Sequence, residues 1–294
     1  MAIIIEDALA KRNSGTLSKQ ARPLTVGGLE QALLALYPAE DAEEWDRTGI
    51  SVGDPADLVT GVAVALDPTV EAVHAAATAG ANVLLTHHPS FIAPIDSFKP
   101  AASVAQNPGA LVWAAIKEGV SLVNYHTALD VSSDAQKMLP SMLSLEFQQV
   151  LDPLPGKAGK GYGQVCTIGK SDRSLTLAQL AARCTSVFGR QPRVWGDFDR
   201  KLGRVVTTTG SAGDLGRLCL AAHVDCMIAG EVKYHEALAL AEAGLAIIEL
   251  GHDVSELPFT AVLASACQRI GVPEENIKVL DQGGNWMLPE SVRM

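Results

Sequence analysis

The sequence predicts an α/β protein of two lobes, and three observations carry that expectation. Over residues 61–125, short runs of Val, Ile, Leu and Ala alternate with longer Ala-rich stretches in the order β-α-β-α-β. That order builds a mixed, mostly parallel sheet, because parallel neighbours must be joined by a crossover, usually a helix. A stretch rich in Pro and Gly at 152–163 separates this block from a second one with the same alternation. Finally, 294 residues, 48% of them hydrophobic, suffice for two compact cores.

Along the chain, residues 1–22 read as loosely ordered, with a polar stretch at 11–20. A helix is expected over 25–37, ending before Pro38. Residues 61–66 form a buried strand, after which Asp67 offers an N-cap and Pro68 fits the first helical position. That helix runs to about Ala79 and stops at Gly80. A strand at 83–86, a helix at 103–118 and a strand at 120–125 complete the first block. Residues 152–163 hold two prolines and four glycines with no apolar periodicity, which reads as a linker. Beyond it, strands are expected near 164–168, 204–209, 225–229 and 245–250, with helices near 175–188, 213–222 and 232–243. A helix over 255–269 and a strand at 277–280 close the chain.

The formal net charge of −10 argues against general nucleic-acid binding, which needs clustered Lys and Arg. It leaves room for a neutral or cationic ligand, or for an anion held by a metal. The five cysteines, Cys166, Cys184, Cys219, Cys226 and Cys267, include no Cys-x-x-Cys pair and are odd in number. They read as small buried apolar residues in a reducing compartment. No apolar run approaches the roughly 20 residues of a membrane span. The short run at 3–5 is followed at once by Glu6 and Asp7, unlike a signal peptide. The expected location is the cytoplasm, with no membrane partner.

Chemistry gathers at the strand ends. Thr86-His87-His88-Pro89 follows one predicted strand, His126-Thr127-Ala128-Leu129-Asp130 the next, and Gly251-His252 through Glu256 the strand at 245–250. Ligands of open α/β sheets bind beyond the carboxyl ends of the strands, so these segments can meet. Adjacent side chains point to opposite faces in mid-strand, but His87 and His88 can converge at a strand terminus, with Pro89 holding His88 extended. His252 and Glu256 share one helical face if a helix begins near His252. Imidazole with carboxylate suits Zn, Fe, Mn, Co or Ni. Five ligands, His87, His88, Asp130, His252 and Glu256, exceed the needs of one three-ligand ion. Two divalent ions bridged by a carboxylate, with Glu256 the candidate bridge, would use them all.

Each piece also has an ordinary reading. A His-His pair is commonly a surface or capping feature, His-x-x-x-Glu a salt-bridged helix face, and Thr-x-x-Asp plain turn chemistry. Three such segments at three strand ends favour the metal site. His74 and His223 read as surface or structural residues. Glu231 and His235 open a helix on one face. They read equally as a helix start with a favourable acid, or as a pair near the metals in which His235 donates a proton or touches substrate. Residues 210–214 could hold an anion through backbone N–H groups, but the Gly-Lys-Ser/Thr ending of a P-loop is missing and an ordinary tight turn is the favoured reading. Trp45 reads as a buried indole with its N–H satisfied.

Together these motifs, with Glu44-Trp45-Asp46-Arg47-Thr48-Gly49-Ile50 and Gly230-Glu231-Val232-Lys233-Tyr234-His235, resemble the Nif-three-like or dinuclear metal centre family. Its bacterial members are often called GTP cyclohydrolase I type 2 homologues. The resemblance implies two α/β lobes, the second inserted in the first: residues 1–150, then 151–245, with 246–294 returning to the first lobe. It carries the family's metal ligands onto the same five residues and places His126, Glu231 and His235 around them. It also implies a homo-oligomer, a toroidal hexamer. Ala128 and Arg47 stand where members often have Asn, which affects substrate contacts and not ligation.

Two classes of function are therefore expected. In one, the protein is a metal-dependent hydrolase of the cyclohydrolase or phosphoester type. It would act on a nucleotide or other small molecule through a metal-activated water, with His126 or His235 moving protons. In the other, it turns nothing over and serves as a metallochaperone, metal store or regulatory scaffold, or as a protein-binding module braced by its metals.

Overall fold

Two mixed sheets organise the chain. The computed structural model describes residues 23–100, 108–169, 172 and 174–286. The N-terminal 22 residues, expected to be loose, and the first turn of the helix expected from 103 lie outside them.

The first sheet contains β1 (Gly49–Val52), β2 (Val62–Ala65), β3 (Val83–Thr86), β4 (Ser121–Asn124) and β11 (Ile277–Val279), in the order β1-β4-β3-β2-β11. β1 is antiparallel to β4, and the other three pairings are parallel. β2, β3 and β4 are buried along their whole length, which is why they read as continuous apolar runs. Val62, Val64, Val83 and Leu85 pack on Leu29 and Leu33 of α1 (Val26–Leu36) and on Phe259 and Leu263 of α10 (Phe259–Ile270). Ala63, Ala65 and Leu84 point to the other face. There they meet Ala72 and Val73 of α2 (Val70–Thr78) and Leu111 and Ala115 of α3 (Pro108–Glu118).

The second sheet contains β5 (Leu145–Leu154), β6 (Lys157–Ile168), β7 (Arg193–Trp195), β8 (Arg204–Thr207), β9 (Cys226–Ala229) and β10 (Ala246–Glu249), in the order β5-β6-β8-β9-β10-β7. Only β8-β9 and β9-β10 are parallel. α5 (Ala135–Met142) leads into β5, and α6 (Leu177–Phe188) covers one face through Leu177, Leu180 and Cys184. α7 (Leu215–Ala221) and α8 (Tyr234–Glu242) cover the other. The chain then returns through α9 (His252–Glu256) and α10 to β11, which pairs with β2. The second sheet is thus inserted in the first. Its strands begin at 145 and end at 249, so β10 at 246 belongs with the second lobe, held there by its parallel pairing with β9.

Several elements differ from expectation. Residues 152–163 are not a linker but the tip of a long hairpin, β5 with β6. Pro153 is tolerated because β5 is an edge strand. Gly161 takes a φ of +147° and sits so close to Asp152 that an added Cβ would lie 2.1 Å from its carbonyl oxygen. Composition therefore mimicked a linker where close backbone approach was the cause. Thr69, and not Asp67, caps α2 by accepting from the Ala72 N–H at 3.0 Å. The helix expected over 255–269 is two helices, interrupted at Leu257 and Pro258. All five cysteines are buried and unbridged, as expected.

Candidate metal centre

Each expected ligand follows a strand. His87 and His88 leave β3 and cross the ends of β2 and β3, their N–H groups donating to the carbonyls of Ala65 and Leu66 at 3.3 and 3.0 Å. α4 (Thr127–Asp130) follows β4 and delivers Asp130 at its last position. α9 starts at His252 itself, so His252 and Glu256 lie one turn apart on one face. Gly251, at a φ of +105°, makes the bend that admits this start.

Four imidazoles are oriented the same way. His87 Nδ1 lies 3.1 Å from the Tyr125 carbonyl oxygen. A carbonyl only accepts, so Nδ1 carries the proton and Nε2 is left as the free lone pair. His88 Nδ1 faces Asp67 Oδ1 at 2.7 Å, His252 Nδ1 faces Glu231 Oε1 at 3.1 Å, and His126 Nδ1 faces Asp46 Oδ1 at 3.3 Å. Such outer partners fix the tautomer and aim of ligating histidines. Asp46 is itself held by the backbone N–H and hydroxyl of Thr127. The Phe259 ring, 4.6 Å from that of His87 between centroids, walls the cluster from the core.

Glu256 sits at the centre. Its Oε1 lies 3.7 Å from His87 Nε2, and His87 Nε2 lies 3.8 Å from Asp130 Oδ1. Its Oε2 lies 3.0 Å from His88 Nε2 and 3.1 Å from His252 Nε2. His87, Asp130 and Glu256 form one group able to hold a metal ion, and His88, His252 and Glu256 another; ligand atoms within each lie inside 4.8 Å. His126 makes a third such group with His87 and His88. His87 Nε2 and Glu256 Oε2 are buried with no hydrogen-bond partner. Oε2 lies near two imidazole nitrogens without forming a hydrogen bond to either. Orphaned buried polar atoms are costly, and a cation on these lone pairs would satisfy them. The residues present fit a metal ion.

The electrostatics agree. Burial opposes a charge on His88, but Asp67 and Glu256 outweigh it and raise its pKa to about 10. The neighbouring Glu256 carboxylate raises His252 to about 9, against burial. Burial disfavours a charge on Glu256 too, yet His252, His87 and His88 hold its carboxyl well below the ordinary range. Asp130 goes the other way, raised by burial despite His87. The cluster thus attracts positive charge, whether protons or a metal.

The remaining expected residues separate. His126 joins the cluster, its ring centroid 5.1 Å from that of His87. Glu231 braces His252. His235 stands in the first turn of α8 beside Tyr234 and lines an adjoining concavity; among the described residues it makes no polar contact with the cluster. Trp45 is not buried. It is 51% exposed, edge-on to His126 at 5.7 Å, on the rim of a cavity of about 690 Å³ that also reaches Asp130, His252 and Glu256. Sequence reasoning missed the bracing roles of Asp67 and Asp46. The signal for Asp67 was a carboxylate ending a buried strand, but an N-cap explained it as well. His74 is exposed and pairs with Glu118 at 3.3 Å, and exposed His223 adopts a φ of +52°; both are surface residues.

Fold and site together define an α/β protein in which histidines and carboxylates from the strand ends of two sheets converge on a common point. The chain matches the family described as Duf34/NIF3 (NGG1p interacting factor 3) over residues 24–281 and belongs to it. A relative from Streptomyces coelicolor called GTP cyclohydrolase 1 type 2 homolog is 33% identical over 249 residues, covering 81% of this chain and 84% of its own. One of the same name from Clostridium acetobutylicum is 28% identical over 233 residues, covering 77% and 83%. Among solved structures, a hypothetical protein from Staphylococcus aureus superposes with a TM-score of 0.80 at 22% identity, covering 91% of this chain and 99% of that one. A Bacillus cereus protein related to NIF3 gives 0.76 at 18% identity, covering 87% and 96%. These two establish the fold alone. Among the described residues, no helix is long and apolar enough to cross a membrane.

Proposed function

We propose that the protein binds two divalent metal ions and uses them as a hydrolase. The observation that carries this reading is Glu256, whose two oxygens face two different sets of partners. His87, Asp130 and Glu256 Oε1 would hold one ion, and His88, His252 and Glu256 Oε2 the other. Zn, Fe, Mn, Co and Ni all suit such donors. When bound, the ions supply Lewis acidity and a water acidified toward neutral pH.

The chain's own residues do the rest. Asp67, Glu231 and the Tyr125 carbonyl orient the ligands. His126, fixed at Nδ1 by Asp46, presents Nε2 to hold or pass a proton. Phe259 excludes water from behind His87. His235, which lines the adjoining concavity, would touch a substrate extending into it and would not serve the metals. The relatives' name makes a nucleotide or phosphoester the first class to try, and cyclohydrolase chemistry would use the activated water to open a ring. A homo-oligomer, hexameric by the family resemblance, and a reducing cytoplasm in which the buried thiols stay unbridged belong to the same reading.

The test is metal analysis of purified protein loaded with Zn, Mn or Fe, followed by a turnover screen. Two equivalents of metal, with turnover lost in His88→Ala, is the expected result. Fewer than one equivalent overturns the metal reading. Two equivalents with no turnover on a broad nucleotide and phosphoester panel favours a metal store or scaffold instead.

A further inference from the structure

The stretch after β11 ties together two residues that stand behind the candidate centre. We infer that residues 280–286 form a strap that positions His88 and His252, which share one proposed ion, and leaves His87 and Asp130, which share the other, to separate supports. The effect on metal binding rests on the metal-centre reading; the positioning of the two imidazoles does not.

Gln282 is the first anchor. β2 ends at Ala65, and Gln282 serves the two residues beyond it in place of a strand partner. Its Oε1 accepts from the Leu66 and Asp67 N–H groups at 2.8 and 2.9 Å, and its Nε2 donates to the Asp67 carbonyl at 3.0 Å. The side chain is buried, so these groups are costly to leave unpaired. The segment it holds grips His88 twice. The Leu66 carbonyl accepts from the His88 N–H at 3.0 Å, and Asp67 Oδ1 lies 2.7 Å from His88 Nδ1. Leu280, donating to the Val64 carbonyl at 2.8 Å, sets the register that brings Gln282 there.

Arg190, just past α6, is the second anchor. Its Nη1 donates to both oxygens of Asp253 at 3.0 and 2.9 Å, and its Nη2 to the Gly283 carbonyl at 3.3 Å. The Trp286 ring lies against the guanidinium, with its centroid 3.9 Å from Cζ, and its Nε1 donates to Asp253 Oδ2 at 3.1 Å. An exposed ion pair contributes little, but this one is mostly buried, stacked and cross-linked. Asp253 follows His252 in α9, so the strap grips the turn that presents that imidazole. The far end of α9 is fixed separately, Ser255 Oγ accepting from the Gly210 N–H at 2.9 Å, which keeps Glu256 in place. Among the described residues, no hydrogen bond or ion pair joins 280–286 to His87 or Asp130; His87 is held by the Tyr125 carbonyl, and Asp130 ends α4.

The experiment is calorimetric titration of metal-free protein with Co²⁺. Wild type is expected to take two equivalents. Gln282→Ala is expected to weaken one of them by about tenfold and to leave the other unchanged. Combined with His252→Ala, which lacks the affected position, the same change is expected to do nothing to the remaining ion. Arg190→Ala should act as Gln282→Ala does, and carries the test if that variant does not fold. Arg190→Lys, which keeps the charge without the planar fork, should recover part of the loss. Equal weakening of both ions, a loss that persists in the His252→Ala background, or unchanged affinities would each overturn the inference.

The metal-free protein answers separately. Gln282→Ala is expected to shift the imidazole nitrogen resonances of His88, and Arg190→Ala those of His252, with His87 unmoved in both. A wild-type chain that binds no metal sinks the metal reading. The resonances still decide the strap: it is overturned if His87 moves with the others or if none of them moves.

Discussion

Asp67 Oδ1 lies 2.7 Å from His88 Nδ1, tying a residue just past β2 to the proposed ligand that follows β3. The contact fixes the ring so that Nε2 faces Glu256. Outer partners of this kind typically contribute 10–100-fold to metal affinity. Asp67→Ala is expected to weaken metal binding by about that factor with secondary structure unchanged, since Thr69 and not Asp67 caps α2. Chelator competition measures it. An unchanged affinity would show that something else orients His88.

Glu256 and His252 are expected to differ in stoichiometry. Glu256 faces both groups of ligands, whereas His252 faces one. Glu256→Ala should leave no tightly bound metal, and His252→Ala about one equivalent. Elemental analysis after gel filtration distinguishes them. Equal losses would mean that Glu256 does not bridge.

Gly210 approaches the carboxylate closely. At a φ of +55°, a Cβ added there would lie 2.3 Å from Glu256 Oε1. Gly210→Ala is expected to cost about 1–3 kcal/mol in strain and to push the carboxylate off its position. Both should appear, as a lowered urea midpoint and as reduced metal content. A variant that loads metal normally would show that the loop yields instead.

Acid should loosen the contact between the lobes. Asp41 is buried, and its carboxylate accepts from Lys157 and Lys160 of β6. Burial alone would raise its pKa, but the two lysines outweigh that and hold it below the ordinary 3.8. A carboxyl depressed on folding contributes stability that is full above the unfolded value and lost as pH falls through the folded one. Stability should therefore drop below about pH 4, and Asp41→Asn should flatten that limb of a urea-midpoint profile. An identical profile in the variant would assign the acid limb to other groups.

Much of the site was legible because strand ends concentrate chemistry in α/β folds. The convergence of His87, His88, Asp130, His252 and Glu256 needed only the apolar runs before them and the one-turn spacing of His252 and Glu256. What stayed hidden depended on distance in sequence. Asp46 meets His126 across 80 residues, and Glu231 meets His252 only because β9 and β10 are neighbours. No local pattern announces such pairs. The hairpin at 145–168 misled for another reason. Gly161 serves a close backbone contact and Pro153 sits at an edge, and both look like punctuation in one dimension. Trp45 was expected inside because indoles usually are, and its exposure became visible only with the cavity it rims.

The insertion of one sheet within the other has a consequence for how the molecule is made. His87, His88 and Asp130 belong to the early half of the chain, while His252 and Glu256 follow the last strand of the inserted sheet. During synthesis, which runs from the N-terminus, the first three emerge as an incomplete set. More than a hundred further residues must be added, and the whole second sheet laid down, before the central carboxylate arrives. The centre is thus a checkpoint on assembly: a chain truncated anywhere between α4 and α9 keeps its early histidines and lacks the group that unites them.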